Sequence, residues 1–265
     1  MTSVQSPPRG AGELLREWRQ RRRRSQLDLS IDAQVSARHL SFVETGRSKP
    51  SRELLLHLAE HLDVPLRERN TLLLAAGYSP LYPERSMDDA AMAPVREALD
   101  LVLAGHEPFP ALVVDRHWNL VSANGAAFAF LTDVAPELLE PPTNALRLSL
   151  HPDGLAQRIL NLAEYSAHVL HRLQQQAVLS QDAELEVLYD ELRGYPGVEE
   201  TSPAVFEPAA MVFSPLRVRG PDGQELAFFS TLATFGSAVD ITMAELLIES
   251  FFPADPTTSA ALGRL

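Results

Sequence analysis

Residues 25–46 read SQLDLSIDAQVSARHLSFVETG and carry the signals of two short helices joined by a tight turn. Ser25 and Ser36 belong to the residue types that cap helix N-termini, and Gly46 suits the position just after a helix. Between these signals, apolar residues recur every three or four positions, as on one buried helix face. The run therefore predicts one helix over about residues 26–33 and a second that begins at Ser36 and ends before Gly46.

The flanking sequence predicts three more helices of similar length. Apolar residues recur at helical spacing around Trp18, again after Pro50, and again from Pro65 to Gly77. No helix this short can bury its apolar side alone, so the five helices are expected to form one compact all-helical domain.

A polar helix that follows another across a tight turn is the helix-turn-helix arrangement, whose second helix enters the DNA major groove. Exposed positions early in that helix face base edges, while neighbouring loops meet phosphates. Arg38 is the strongest candidate for specificity, because an arginine can bind guanine through two hydrogen bonds. The candidate DNA-binding residues are Gln26, Ser36, Ala37, Arg38, His39, Ser41, Arg47, Ser48 and Lys49.

Charge is distributed unevenly between the two parts of the chain. Residues 1–85 contain 14 Lys and Arg and 10 Asp and Glu, a net charge of +4, whereas residues 86–265 contain 9 and 25, a net charge of −16. Such asymmetry is expected when only one part meets phosphate. The alternative is a plain helical bundle whose arginine run, residues 21–24, is a solvated helix end.

Composition narrows the classes of protein. The chain of 265 residues is 45% hydrophobic and has no cysteine, which excludes a disulfide scaffold, a thiol nucleophile and a thiolate-bound metal. It has no run of about 18 apolar residues and no apolar segment near its start, so neither a membrane span nor a secretory signal is expected. The expected location is the cytoplasm.

The second part of the chain mixes helices with strands. In one predicted hairpin residues 111–114 and 118–121 flank a polar turn; in the other, residues 211–218 and 225–235 flank a Gly-Pro-Asp-Gly turn. Residues 225–235 are apolar on both faces, which predicts a strand covered on both sides. Helices are predicted over residues 94–103, after Asn124, from Asp153 to about 179, from Asp182 to 192, and over 240–252.

These elements give an α+β chain that is mainly helical. The predicted divisions are a DNA-binding domain over residues 10–78, a linker over 79–93, a second domain over 94–253 and a flexible tail over 254–265.

The first domain resembles the xenobiotic-response-element (XRE) and phage-repressor class of helix-turn-helix domains. The resemblance rests on Ser25-Gln26, Leu29, Val35-Ser36, Leu40, Phe42-Val43-Glu44-Thr45-Gly46, Arg47, Lys49-Pro50-Ser51 and Leu58-Ala59-Glu60. Two residues depart from it. Gln34 stands where this class usually has a turn glycine, which predicts a strained left-handed backbone at this position. Ala37 stands where a base-reading glutamine is common, so Arg38 becomes the favoured candidate for the base contact.

The second part resembles the MmyB-like regulators. The matching residues are Pro108-Phe109-Pro110-Ala111-Leu112-Val113-Val114-Asp115, Trp118-Asn119, Asn124, Leu150-His151-Pro152-Asp153-Gly154, Leu162-Ala163-Glu164 and Glu249-Ser250-Phe251-Phe252-Pro253. The resemblance implies a PAS-type fold, which is an antiparallel sheet with helices around a small-molecule pocket, and a fatty-acid-like ligand.

Such a pocket is expected to be apolar with few polar groups. The candidate lining residues are Trp118, Phe128, Tyr165, Tyr189, Phe228 and Phe235, and the cations nearest in sequence for a ligand carboxylate are Arg147, His151 and Arg158. Each of these residues could instead be an ordinary core, surface or capping residue.

The sequence contains only weak matches to enzyme motifs. The run His57-Leu58-Ala59-Glu60-His61 matches an inverted zincin motif, but it lies in a helix whose Leu58 and Ala59 are expected in the core. His151 and Asp153 are better explained as a loop leading into a helix cap than as a catalytic pair. Phosphate-binding glycine motifs are absent. No catalytic residue, no metal and no cofactor other than a bound apolar molecule is predicted.

Together these patterns predict a sequence-specific transcription regulator that binds a two-fold DNA operator as a homodimer, with a small-molecule effector in its second domain. Two alternatives stay open: a constitutive repressor whose second domain only dimerises, and an enzyme tethered to DNA.

Overall fold

The computed structural model describes residues 9–199, 215–220 and 222–263. The chain forms two compact units. The first contains the described residues up to Ser86 together with Ser237–Ala244, and the second contains Met87–Gly236 and the residues from Glu245 onward. No helix in the described ranges is long and apolar enough to cross a membrane.

The first unit is built from five helices, and the predicted helical domain is confirmed. Leu15, Leu29, Leu40 and Leu58 are among the fully buried residues of its core. The helices are α1 (Ala11–Arg21), α2 (Gln26–Asp32), α3 (Ala37–Glu44), α4 (Arg52–His61) and α5 (Leu66–Ala75).

Side-chain caps fix where these helices begin. Ser25 accepts a hydrogen bond from the N–H of Asp28, whose carboxylate accepts one from the N–H of Ser25, so α2 begins with a reciprocal capping box. Ser36 accepts from the N–H of His39 at 3.1 Å and starts α3. Gln34, in the turn between α2 and α3, has a φ of 53°. The expected left-handed backbone at Gln34 is confirmed.

The arginine run holds the end of α1 against the end of α4. Arg22 donates to the carbonyls of Leu62 and Asp63 at 2.9 and 2.7 Å, and Arg24 donates to the carbonyl of His61 at 2.9 Å. Carbonyls at a helix C-terminus lack partners within the helix, so these guanidinium groups satisfy them. The run is therefore a structural element and not only a solvated helix end.

Residues after α5 pack back onto it. Asn70 donates to the carbonyl of Tyr82 and accepts from the N–H groups of Leu81 and Tyr82 at 2.7–3.1 Å. The first unit accordingly extends to Ser86, whereas the sequence places a linker from residue 79. The linker ends in a short 3-10 helix, Ala90–Met92.

The segment Ser237–Ala244 also belongs to the first unit. Ile241 is buried and its N–H donates to the carbonyl of Pro83 at 2.8 Å, while Arg85 forms an ion pair with Asp240 at 2.8 Å.

The second unit contains a five-stranded antiparallel sheet in the order β2-β1-β5-β4-β3 with helices around it, which confirms the PAS-like fold. The strands are β1 (Ala111–Val114), β2 (Leu120–Ala123), β3 (Leu216–Arg219), β4 (Glu225–Ala233) and β5 (Leu247–Pro253). The helices are α6 (Ala93–Gly105), α7 (Gly125–Phe128), α8 (Ala145–Leu150), α9 (Leu162–Ser180), α10 (Ala183–Leu192), α11 (Ile241–Ala244), which lies in the first unit's segment, and α12 (Pro256–Leu262).

Both faces of the sheet carry packed side chains. On one face, Leu99 and Leu103 of α6 pack against Val113 of β1 and Ile248 of β5. On the other face lie α8, α9 and α10, whose leucines pack with Val114 and Trp118. The 3-10 helices Ala129–Leu131, Pro136–Leu139 and Ala156–Arg158 connect the elements on this side.

Two predicted helices are wrong in part. Residues 240–252 form only the short α11 and then β5, which is the central strand and pairs with both β1 and β4. That pairing across the chain outweighs the helical spacing of the local sequence. The long helix begins at Leu162 and not at Asp153, since residues 153–161 form turns and a 3-10 helix.

Three further expectations differ from the structure. β2 begins at Leu120 and not at Trp118, whose φ of 68° ends the turn. β4 is not covered on both sides: within the described residues Leu226 and Phe228 are buried, but residues 230–233, which pair with β5 and not with β3, are exposed. Residues 211–214 of the predicted second hairpin lie outside the described residues.

The segment expected to be a flexible tail contains α12. Asp255 caps this helix, and the Thr258 hydroxyl accepts from the N–H of Ala227 at 2.9 Å. Ala261 and Leu262 are buried beside Phe228 and Val218. Burial of these apolar side chains stabilises the helix.

Candidate nucleic-acid interface and apolar cavity

The outer face of α3 presents the predicted base-facing residues together. Ala37, Arg38 and His39 are exposed, as is the capping Ser36, and Ser41 is half-buried. The opposite face carries Leu40 and Val43, both about 1% exposed and part of the core. α3 thus has one fixed apolar face and one polar face that is open to a ligand.

Arg38 is held by an aromatic contact. Its guanidinium carbon lies 5.4 Å from the ring centroid of Phe42, one turn further along α3. Within the described residues it forms no hydrogen bond and no ion pair. The ring restricts the side chain while the nitrogen donors stay available for a base edge.

The loop after α3 places two more cations beside this face. The N–H groups of Arg47 and Ser48 both donate to the carbonyl of Phe42, at 2.8 and 3.1 Å, so the loop closes onto the end of α3. Arg47 and Lys49 are exposed, and the Lys49 ammonium lies 5.2 Å from the ring centroid of Tyr78. Ser48 is half-buried.

Gln26 is fixed by a buried ion pair that the sequence analysis missed. Arg19 donates two hydrogen bonds to Glu44, at 2.7 and 2.8 Å, and the Gln26 amide donates to the same carboxylate at 2.7 Å. The bond to Glu44 raises the pKa of the Arg19 guanidinium above its ordinary value. The sequence did contain a signal for this ion pair, because Arg19 and Glu44 are both adjacent to apolar core positions of their helices.

The zincin-like run of α4 has a structural role. Leu58 and Ala59 are buried, and the Nε2 of His57 lies 2.7 Å from the carbonyl oxygen of Ala33. The His57 and His61 rings are in edge contact with centroids 4.6 Å apart. Throughout the described part of the chain, no three His, Cys, Asp or Glu side chains are grouped to hold a metal ion.

The second unit contains an apolar cavity of about 100 Å³ between the sheet and its helices, and this cavity is partly open. A single water needs roughly 10 to 15 Å³ of such space, so the cavity has room for about seven to ten water-sized groups. Its lining is mainly aliphatic and aromatic side chains of the five strands, of α7, α8 and α9, and of the segments between them. Among them are Leu112, Leu120, Phe130, Leu148, Ile159 and Phe251.

Two of the six aromatic residues proposed from the sequence line this cavity, Tyr165 and Phe228. Trp118 is instead buried beside it, with its indole N–H donating to Gln176 at 2.9 Å. Phe128 is 52% exposed. Tyr189 and Phe235 pack against other parts of the core.

None of the three proposed cations lines the cavity. Arg147 donates two bonds of 2.7 Å to Glu191, which ties α8 to α10 and lowers the pKa of the Glu191 carboxyl. Arg158 donates to the carbonyls of Phe130 and Arg219. His151 makes an edge contact with the Tyr195 ring. Each of these side chains contacts residues that are distant in the sequence, and the local sequence does not predict such contacts.

The polar groups that do line the cavity are Ser149, Tyr165 and Glu249. Glu249 is only 7% exposed, and its Oε1 accepts from Ser230 at 2.9 Å and from Arg172 at 3.4 Å. The sequence analysis missed Glu249 as a site residue. Its signal is a lone acid within the apolar strand run Leu247–Pro253.

The pKa of the Tyr165 phenol is raised to about 12, mainly by burial and also by the nearby charge of Glu249, while Arg172 and Ser149 oppose the shift. Tyr165 therefore keeps its proton and acts as a hydrogen-bond donor in the cavity.

Comparisons with known proteins match both parts of the chain. A family model described as a helix-turn-helix domain matches residues 11–72, and one described as the MmyB-like transcription regulator ligand binding domain matches residues 95–265. No curated protein gives a match. A solved structure titled "Structure of an RNA-binding Light-Oxygen-Voltage Receptor" aligns over 96% of this chain with 13% identity and a TM-score of 0.29, and the chain spans 60% of that structure's length. With a helix-turn-helix domain followed by this ligand-binding domain, the chain belongs to the MmyB-like transcription regulator family.

Proposed function

We propose that the protein binds a two-fold symmetric operator as a homodimer, and that a small apolar molecule in the cavity changes its affinity for that operator. The observation that carries the proposal is the outer face of α3. The capping Ser36 and the first three residues of α3, Ala37 to His39, are all exposed, while the inner face of α3 is fixed in the core. That is the arrangement needed to enter a major groove.

The residues divide by what they contact on DNA. Arg38 reads a base, with Ala37 beside it for a thymine methyl group, and Ser36, His39 and Ser41 complete the base-facing surface. Arg47, Ser48 and Lys49 bind phosphates, as does the start of α2 at Gln26. The Arg19–Glu44 pair supports this surface through its bond to Gln26.

Two copies are required because one short helix makes few base contacts. Two α3 helices about 34 Å apart reach successive major grooves on one side of the duplex. The second unit supplies part of the dimer contact, and its negative charge keeps binding to random DNA weak.

The ligand that we infer is a small molecule with the apolar, fatty-acid-like body that the family resemblance suggests. The aliphatic and aromatic lining of the cavity supports this inference. The molecule alters operator affinity only if it binds the DNA-competent and incompetent states unequally, and a coupling of about 1 to 3 kcal/mol is typical. We infer that the effect passes through the predicted linker, residues 79–93, of which residues 79–86 belong to the first unit, and through Ser237–Ala244, which joins β4 to β5.

Two measurements on the full chain test the proposal. Selection from random duplexes should enrich two-fold sites with half-sites one helical turn apart, and failure to enrich any sequence would contradict operator recognition. Native mass spectrometry of the purified protein should give a dimer that retains a small molecule, which denaturing extraction then identifies. An empty dimer whose operator affinity responds to no ligand would favour the alternative of a domain that only dimerises.

A further inference from the structure

Helix α6 carries a second apolar stripe on its exposed side. Its inner residues Leu99 and Leu103 are buried against the sheet. Its exposed side presents apolar residues spaced three and four positions apart, namely Ala98, Leu101, Val102 and Gly105. Leu101 is the most prominent of them, because its side chain is 75% exposed. A helix that covers a core is expected to be polar on its outer side, so this stripe is suited to a contact with another molecule.

The sheet face that α6 packs on also contains an open socket. Residues paired across antiparallel strands share a face, so Thr231 and Ala233 of β4 lie on the same face as Ile248 of β5, against which α6 packs. Both residues are small and exposed. Phe229 precedes them on this face, and Phe235 follows them and packs beside α6. We call these four residues of the chain, 229, 231, 233 and 235, the β4 socket.

Leu101 does not fill the β4 socket of its own chain. Its side chain is 75% exposed, and the two residues at the bottom of the socket, Thr231 and Ala233, are exposed as well. One molecule therefore carries a projecting leucine and a recess of small residues on the same side of its sheet, and both are uncovered. Two copies related by a two-fold axis can each insert the leucine into the recess of the other.

Charge favours a second copy as the occupant. Glu97 and Asp100 are exposed on α6 and form no ion pair within the described part of the chain. Arg219 of β3 is exposed on the same sheet face as the β4 socket, because it pairs with Glu225 of β4, and its guanidinium has no described partner. Residues 86–265 carry a net charge of −16, so two copies associate only where opposite charges meet. Placing the acids of α6 beside the arginine of β3 provides such a meeting.

We propose that the second unit dimerises through this face, with Leu101 of each copy inserted into the β4 socket of the other. The inference rests on the proposed function, since it names the surface that forms the homodimer. A contact of this kind uses the same two patches twice and closes at two copies, so it does not build a filament.

The proposed surface lies directly behind the cavity. Successive side chains of a strand point to opposite faces, and β4 presents Phe228 to the cavity while Phe229 and Thr231 lie on the face of the socket. A ligand that displaces Phe228 therefore moves the strand that forms the dimer contact.

Two variants of the full-length protein test the surface by analytical ultracentrifugation. Leu101→Glu places a charge in an apolar contact, and Thr231→Arg fills the socket. Each should weaken the dimer by about thirtyfold or more, which is the effect of losing a central contact residue. Val187→Glu is the matched control, because Val187 is a 65% exposed apolar residue on α10 of the same unit, and it should leave the dimer unchanged.

Mixing the two variants tests which patches meet. In a pair formed by Leu101→Glu and Thr231→Arg, one contact joins the new carboxylate to the new guanidinium, and the other contact is native. Native mass spectrometry of the equimolar mixture should therefore show a heterodimer that is at least about tenfold tighter than either variant alone. Pairing of one α6 with the other would give no such recovery.

The outcomes separate the surface from the dimer itself. A dimer that persists in both variants, a mixture without recovery, or an equal loss in Val187→Glu would overturn the proposed surface and leave a dimeric regulator intact. A wild-type chain that stays monomeric at micromolar concentration would contradict both this inference and the proposed homodimer. Thermal melting checks folding, and if one variant does not fold, the other decides by comparison with Val187→Glu.

Discussion

At the scale of single residues, the arginines of the first unit differ in what they are bonded to. The side chains of Arg19, Arg22 and Arg24 donate hydrogen bonds to Glu44 and to carbonyls at helix ends. The side chains of Arg38 and Arg47 form no hydrogen bond within the described residues. Of these five arginines, Arg38 and Arg47 are therefore the two whose guanidinium donors are available for DNA, so position in the sequence is a poorer guide to function than bonding.

Replacing Arg38 with Ala should weaken binding to the selected operator by about 1 to 3 kcal/mol and leave binding to random DNA nearly unchanged, because it removes a base contact. Fluorescence anisotropy with both duplexes measures the two losses. Lys49→Ala is the matched control: it should weaken both and lower the slope of log affinity against log salt by about 0.9. Equal losses on both duplexes for Arg38→Ala would reject its base-reading role.

Gly12 shows a steric requirement of the same unit. A Cβ built on Gly12 would lie 2.0 Å from the carbonyl oxygen of Val43, where α1 crosses α3. We expect Gly12→Ala to destabilise the first unit by about 1 to 3 kcal/mol, as overpacking does. Gly10→Ala, whose added Cβ meets nothing within 4 Å, should cost less than about 1 kcal/mol in the same thermal melts. Similar losses for the two variants would contradict the close approach.

At the scale of elements, the position of the proposed recognition helix is set by the turn before it and the ion pair behind it. Gln34 directs the chain from α2 into α3 through a left-handed backbone. The Arg19–Glu44 pair, only 9% and 0% exposed at its side chains, joins α1 to the end of α3. Breaking one member would leave a buried charge unpaired, so the pair specifies one orientation of α3.

Gln34→Gly should stabilise the first unit by about 0.5 to 1 kcal/mol, because glycine adopts this φ without strain. The gain is limited because glycine loses more backbone freedom on folding than other residues do. Urea unfolding followed by circular dichroism measures the change. Gln34→Ala removes the same side chain but keeps the strain, so it should give no such gain. A gain of equal size in both variants would assign the effect to the side chain.

The contact between α8 and α10 should depend on pH. The bond from Arg147 lowers the pKa of Glu191, so its stabilisation is present above the ordinary glutamate pKa and is lost as pH falls through the lower folded value. Because the pair is about one-third exposed, Glu191→Gln should cost about 0.5 to 1 kcal/mol at pH 7, and the cost should shrink as the pH falls below the ordinary glutamate pKa. Melting curves over a series of pH values test this, with exposed Glu186→Gln as control. A cost that does not shrink as the pH is lowered would contradict it.

At the scale of the whole molecule, the chain crosses between its two units at three points, after residues 86, 236 and 244. Two of these crossings flank Ser237–Ala244. This segment joins β4 and β5, and those strands carry Phe228 and Glu249 of the cavity. A ligand that shifts either strand therefore acts on a segment that belongs to the DNA-binding unit.

Ile241→Ala should weaken this connection, because it removes a buried side chain that anchors the segment. We expect operator affinity without ligand and ligand affinity without DNA to stay within about threefold, while the ligand-induced change in operator affinity falls by about 1 kcal/mol. Anisotropy titrations with and without the molecule that co-purifies measure the change. The exposed neighbour Val239→Ala is the control, and an undiminished ligand effect in Ile241→Ala would place the connection elsewhere.

The sequence by itself determined the elements whose signals are local. The five helices of the first unit, the left-handed turn at Gln34 and the cap at Asn124 follow from contacts between residues at most four positions apart, and each was predictable. The tertiary structure decided the rest. Whether residues 247–253 form a helix or the central strand depends on pairing with distant β1 and β4. The polar character of the cavity depends on Glu249 meeting Tyr165 and Ser149 from other elements, while Arg147 is bonded elsewhere. Such groupings are set by long-range packing, which local spacing does not encode.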